Sequence, residues 1–356
     1  MKKVLLIGPF PPLYSYGGPT KSIQGLYNVL NTKSIQCSVL SPSRELKGNK
    51  IIIEEIDNKI LFSNNFYIDI LKSLKNNKIM WFNSFFEFKL IWLLFLNSFL
   101  QFNLIVSPRG QLSHNAIYTS KPLFKFIFIK FVSFFNKSIY FHSTSKEESK
   151  EIKKYFRNAR IKEISNISSN EFFNNSCVNK KFIFYSRIHK KKGLDILLST
   201  IQKYNIKIEL DIYGFIEDKD YWKKCEKYIN DIKGVNYMGS LDDGDITKLN
   251  NKYSFFILPT LNENFGHVII ELLSIGCIPI LSKNTNPFDE DISSIFNLNF
   301  DISDKSDLKN VINMANNMSD ERFIKLKSSV RPYFDKLNEN QEKIKKKYIN
   351  FISDLL

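Results

Sequence analysis

The stretch 254–283, SFFILPTLNENFGHVIIELLSIGCIPILSK, constrains the fold more than any other part of the chain. It opens with an apolar run, Phe255-Phe256-Ile257-Leu258, closed by Pro259-Thr260, the pattern of a strand buried on both faces. A polar loop at 261–266 follows. Val268, Ile269, Leu272, Leu273 and Ile275 then recur at helical spacing, with Gly276 where a helix C-cap belongs. Residues 277–281 form a second apolar run. Strand, loop, helix and strand in such close succession make a βαβ unit, so a chain of this kind is organised around a parallel sheet.

Two carboxylates give this unit chemical interest. Glu263 falls in the loop at the carboxyl end of the first strand, and Glu271 falls in the early turns of the helix. Open α/β sheets bind ligands at those strand ends. The free backbone N–H groups at 264–267 would form an anion site at the helix start. Carboxylates beside an anion site suit hydroxyl-rich groups joined to phosphate. Solvated acids around an ordinary capped helix are the alternative, and spacing alone does not separate the two.

A chain of 356 residues exceeds one ordinary core, so two domains are expected. Cys37, Cys177, Cys225 and Cys277 are scattered with no C-x-x-C pair, which points to a reducing compartment and away from a metal or disulfide framework. The apolar run after Met1 is too short for a signal peptide and reads as a first strand. The net charge of +15 is uneven: residues 1–176 hold 24 Lys and Arg against 11 Asp and Glu, a net of +13, leaving +2 for the remainder. That asymmetry points to an anionic partner for the first half, whether membrane surface, lipid phosphate or nucleic acid.

Along the chain, 4–7 and 37–40 read as strands, with a helix at 20–30 N-capped by Thr20. The loop between holds Gly17 and Gly18, where the backbone can approach a phosphate, but there is no G-x-G-x-x-G, so no dinucleotide cofactor is expected. No charge occurs from Leu90 to Pro108, yet Asn97, Ser98, Gln101 and Asn103 divide that run into a helix at 89–100 and a strand at 104–106 rather than a membrane span. Residues 122–141 mix aromatic and aliphatic side chains with Lys125, Lys130 and Lys137; a basic helix lying on a bilayer and a core-facing helix both fit. Strand 139–142 and helix 146–155 follow, then a polar stretch at 166–181 that reads as a linker. Beyond it come strands at 182–185, 206–213 and 235–238, and a charged, helical tail at 320–356. Arg187 and Lys192 sit in the loop after strand 182–185, where they can meet a phosphate.

Taken together, these residues resemble a known family. Ser186-Arg187 with Lys192-Gly193, then Glu263-Asn264-Phe265-Gly266 with Glu271 in an E-x7-E pair, then Gly276 and Pro279, are similar in order and context to the group 1 glycosyltransferases, family 4 of the sequence classification. The Gly17-Gly18 loop, the stretch Ser107-Pro108-Arg109-Gly110 and His142-Ser143-Thr144-Ser145 are also similar. The resemblance implies an α/β protein of the GT-B fold, with two doubly wound Rossmann-like domains facing across a cleft. The expected parts are an acceptor-binding domain at 1–170, a nucleotide-sugar-binding domain at 178–335, and a C-terminal helix at 336–356 packing back on the first domain.

The implied activity is a retaining, metal-independent transfer of a sugar from a UDP- or GDP-sugar, with no cofactor and no metal site. In that reading Arg187 and Lys192 hold the diphosphate, Glu263 holds sugar hydroxyls and Glu271 the ribose. Gly17, Gly18, Asn264, Phe265 and Gly266 line the donor, and Arg109 or His114 stands on the acceptor side. With the basic first half, the expectation is a cytoplasmic enzyme peripherally held at the inner face of the membrane, acting on a lipid-linked saccharide in bacterial surface polysaccharide assembly. Transfer onto nucleic acid lacks any recognition motif here and is not expected. A non-catalytic nucleotide-sugar-binding protein would have a broken donor site, whereas Arg187, Lys192, Glu263 and Glu271 are all present. Three positions depart from the family pattern: Arg109 where many members carry His, Ser165-Asn166-Ile167 for Pro-Asn-Gly, and Lys283 where relatives often have Asp.

Overall fold

The computed structural model describes residues 2–11, 18–42, 60–63, 65–74, 77–119, 121–168, 170–241, 245–261, 263, 265–283 and 290–355. The chain divides into two compact units, Met1–Ser168 with Gln341–Leu356, and Ser169–Asn340. Each is built on its own parallel sheet.

The first unit runs β1 (Lys2–Ile7), α1 (Gly18–Leu30), β2 (Ile35–Pro42), β3 (Ile60–Ser63), α2 (Phe66–Leu74), β4 (Ile79–Phe82), α3 (Phe88–Leu100), β5 (Asn103–Val106), α4 (His114–Thr119), α5 (Pro122–Ser133), β6 (Ile139–Ser143), α6 (Lys146–Tyr155) and β7 (Arg160–Glu163). The sheet order is β3-β2-β1-β4-β5-β6-β7, every pair parallel. Its strands are apolar on both faces because helices cover both, as β4 with four buried residues illustrates. The uncharged run after Leu90 divides as its polar residues require. Gln101 takes a left-handed conformation (φ 49°) that ends α3, and buried Asn97 donates to the Ser138 carbonyl at 3.1 Å. No helix among the described residues is long and apolar enough to cross a membrane. Helix α1 starts at Gly18, two residues ahead of the expected Thr20 cap, and Gly17 lies outside the described residues.

The second unit runs β8 (Phe182–Tyr185), α7 (Leu194–Lys203), β9 (Leu210–Tyr213), α8 (Lys219–Asp231), β10 (Val235–Tyr237), β11 (Phe255–Leu258), α9 (His267–Ser274), β12 (Ile278–Ser282), α10 (Glu290–Phe296), β13 (Asn299–Phe300), α11 (Lys305–Asn317) and α12 (Asp320–Asp354). The order β10-β9-β8-β11-β12-β13 reverses direction between β8 and β11, which places a crevice at their carboxyl ends. The strand expected at 206–213 is shorter, starting at Leu210.

The boundary between the two units falls inside the polar stretch 166–181, after Ser168, but from residue 170 the stretch is anchored to the second unit. Asn175 Nδ2 donates to the carbonyls of Tyr253 (3.0 Å) and Ile275 (2.6 Å), and Phe173 N donates to Ser274 O at 2.7 Å. Its lack of periodicity reflects a strap held on the second unit by hydrogen bonds, not a free tether. Helix α12 carries Pro332 in its interior. Val330, Tyr333 and Phe334 bury in the second unit's core, whereas Tyr348, Phe351 and Ile352 bury in the first unit's.

Candidate functional site

The loop after β8 is shaped by one glycine. Residues Lys190–Lys192 form a single 3-10 turn capped by His189, whose Nδ1 accepts from Lys191 N at 3.1 Å. Gly193 follows with φ +67°, closing that turn and opening α7. A Cβ on Gly193 would stand 1.9 Å from the Pro259 carbonyl oxygen, so only glycine lets the turn rest on the end of β11. The Lys191 carbonyl accepts from Leu261 N (2.9 Å) and Thr260 Oγ1 (3.1 Å), clamping the two loops together. The Thr260 carbonyl in turn accepts from Ser282 Oγ at 2.8 Å, tying the loop to the end of β12.

This clamp brings together two of the residues singled out from the sequence. Lys192 Nζ and Glu263 Oε2 form an ion pair whose side chains are only 16% and 19% exposed. Arg187 is held elsewhere on the same sheet edge: its Nη1 pairs with Glu217 Oε2 at 2.8 Å, from the loop after β9. The β8 and β9 loops run side by side there, since Ile188 N donates to Phe215 O at 2.8 Å. Glu217 went unnoticed in the sequence, although its place just beyond the carboxyl end of a strand is a usable signal.

Glu271 lies in the second turn of α9 and is buried. The helix opens at Gly266, φ +71°, without a side-chain cap, so its first amides face the loop that carries Glu263. Phe265 is buried with its ring edge-on to His267 at 4.6 Å, which fixes the turn into the helix. Asn264 lies outside the described residues. Gly276, at the other end of α9, has φ +69° as the C-cap reading required. Lys283 pairs with Asp307 at 3.0 Å.

The acceptor-side pair belongs to the first unit. Arg109 adopts φ +55° and turns its guanidinium inward, donating from Nη2 to Asn83 Oδ1 at 2.7 Å and from Nη1 to Asn166 Oδ1. Burial lowers its pKa. Arg109 therefore joins the loops after β4, β5 and β7, a use of both terminal nitrogens that the sequence did not disclose. Beside it, His142 is buried with Nδ1 against Ser107 Oγ (2.9 Å) and Nε2 against Ile164 O (2.9 Å), and Trp81 Nε1 donates to the same Ser107 Oγ. Burial first, and the Arg109 charge second, hold the His142 pKa well below its ordinary value. His114 is exposed at the start of α4, its ring 4.5 Å from that of Tyr118. Among the described residues no group of three or more His, Cys, Asp or Glu could hold a metal ion.

With the geometry in place, residues 169–325 match the family described as glycosyl transferases group 1. The second unit is a group 1 glycosyltransferase domain. Over 91 residues the chain is 26% identical to an uncharacterized glycosyltransferase of Methanocaldococcus jannaschii, a match spanning 25% of this chain and 24% of that protein. The fold of the whole chain is similar to that of HepE from Anabaena, solved with UDP and glucose: TM-score 0.73, 13% identity, 99% of each chain covered. It is also similar to WaaG, a glycosyltransferase involved in lipopolysaccharide biosynthesis: TM-score 0.67, 11% identity, 99% of each chain. The two parallel α/β sheets are thus those of the GT-B architecture.

Proposed function

We propose that this glycosyltransferase moves a sugar from a UDP- or GDP-sugar to a lipid-linked saccharide, with retention at the anomeric carbon and without a bound metal. The setting is the assembly of a bacterial surface polysaccharide, O-antigen or capsule, at the inner face of the cell membrane. The observation that carries the transfer is the clamp of the β8 and β11 loops, which seats Lys192 and Glu263 side by side at the switch point of the sheet. Lys192 and Arg187 hold the diphosphate and take up negative charge as the sugar–phosphate bond breaks, the electrostatic work a metal performs elsewhere. When a phosphate takes the Lys192 ammonium, Glu263 is released to accept hydrogen bonds from hydroxyls of the sugar. Glu271 accepts those of the ribose, and the backbone at Phe265 and Gly266 meets the donor at the uncapped helix start.

The lipid-linked acceptor and the membrane setting are supported by the +13 net charge of residues 1–176, and by the fold shared with WaaG, which is involved in lipopolysaccharide biosynthesis. A panel of UDP-, GDP- and ADP-sugars screened by thermal unfolding identifies the donor; at a hundred times its Kd a ligand adds roughly 2.7 kcal/mol. With that donor, Glu271→Ala and Lys192→Ala should each abolish nucleotide release and sugar transfer, and near-normal turnover in either variant sinks the site assignment.

A further inference from the structure

Helices α3 and α5 each have two apolar faces, and only one of the two is used by the core. In α5, Phe128, Ile129 and Val132 bury into the first unit, while Leu123, Ile127, Phe131 and Phe134 follow one another at i, i+4, i+8 and i+11 along the outer side. Leu123, Ile127 and Phe134 are 75%, 62% and 78% exposed. In α3, Leu90, Leu93 and Leu94 bury, while Phe88, Phe95 and Phe99 point outward. Phe124, partly exposed beside Leu123, brings its ring within 5.7 Å of the Phe88 ring, so the outer faces of the two helices meet there. The choice left open for 122–141, bilayer helix or core helix, resolves differently: the helix ends at Ser133, residues from Ile139 belong to β6, and α5 itself buries one face and exposes the other. Isolated exposed apolar residues are ordinary on a protein surface, whereas a continuous band of phenylalanines marks a partner.

The charges around the band identify that partner. No Asp or Glu occurs between Glu87 and Glu147. Lys121, Lys130 and Lys137 are exposed on and beside α5. Lys125 is spent internally, its Nζ donating to Ala116 O at 2.5 Å, and so pins α4 to α5. A second copy of the same face would set lysine against lysine with no acid to answer them. An anionic lipid surface supplies acyl chains for the phenylalanines and phosphates for the lysines together.

We infer that the outer face of α3 and α5 seats the protein on a bilayer carrying anionic headgroups, with the phenylalanine band in the headgroup–acyl boundary and Lys121, Lys130 and Lys137 among the phosphates. This gives the membrane part of the proposed function a location, and it rests on that reading only for its biological setting. Three preparations test it: the full chain, a Leu123→Asn/Ile127→Asn/Phe134→Asn variant, and a Lys130→Gln/Lys137→Gln variant. Each is floated with phosphatidylcholine vesicles and with the same vesicles containing phosphatidylglycerol. The full chain should float with the anionic vesicles at low salt. The asparagine variant should lose at least about tenfold in partition, and the glutamine variant about fivefold per lysine, on anionic vesicles only.

Failure of the full chain to float with either vesicle, or unchanged flotation of the asparagine variant, overturns the inference. So does a dimer in sedimentation velocity that the asparagine variant abolishes while the full chain ignores vesicles, because the face then belongs to a second copy. UDP binding, measured on the same preparations, reads the donor site separately. Its absence from the full chain removes the transfer reading and leaves the vesicle result standing.

Discussion

Gly193→Ala tests how tightly the chemistry depends on one backbone approach. An alanine there pays for two things that Gly239→Ala separates. Both glycines are left-handed, at φ +67° and +85°, so either alanine incurs the conformational cost of about 1–2 kcal/mol. At Gly239 nothing lies within 4 Å of the added carbon, whereas at Gly193 the Pro259 carbonyl oxygen lies at 1.9 Å, more than 1 Å inside any contact a methyl makes. Relieving that clash requires the Lys190–Lys192 turn to lift from β11, which breaks the hydrogen bonds from Leu261 N and Thr260 Oγ1 to Lys191 O. Two lost hydrogen bonds add about 1–3 kcal/mol to the cost. Lys192 moves with the turn, and a displacement on the order of 1 Å in a positioning group reduces turnover by about a hundredfold. Urea unfolding followed by circular dichroism, with initial rates of donor turnover, should show Gly239→Ala mildly destabilised and Gly193→Ala destabilised further and nearly inactive. Equal stability of the two variants, with turnover retained in Gly193→Ala, refutes the reasoning.

Arg109→Ala should lower stability by about 2–4 kcal/mol, because it leaves the Asn83 and Asn166 side chains without their charged partner; nucleotide affinity of the second unit should be unchanged, and urea midpoints alongside UDP titration check both. His142 sets a pH dependence. Its folded pKa lies well below the 6.5 of the unfolded chain, so beneath that pH the unfolded state binds a proton that the folded state refuses. Stability is therefore intact above pH 6.5 and falls as pH drops from there toward the folded value, by about 1.4 kcal/mol per pH unit. Urea midpoints from neutral to mildly acidic pH should fall more steeply for the wild type than for His142→Gln.

Much of this protein is written locally. Apolar runs of strand length at 4–7, 182–185, 255–258 and 277–281 bury because their residues leave little choice, and β1, β8, β11 and β12 stand there. Gly276 could be read as a C-cap because a left-handed residue after a helix favours glycine. The split of the uncharged stretch at Gln101 was legible for a similar reason: polar side chains in an apolar run have to find partners or end the element. The strap at 170–181 was not legible, since its hydrogen bonds go to residues about a hundred positions away and leave no period in the sequence.

The site divides along the same line. Sequence alone placed Arg187, Lys192, Glu263 and Glu271 at strand ends and helix starts, because each of those positions follows from a local pattern. It could not say that Lys192 meets Glu263, 71 residues on, while Arg187 meets Glu217. That outcome depends on β8 lying between β9 and β11, and parallel strands select their neighbours through whole-sheet packing rather than through any signal within the strand. Arg109 illustrates the same limit: an arginine in a strand-end loop looks free to meet a ligand until the tertiary fold closes Asn83 and Asn166 around it.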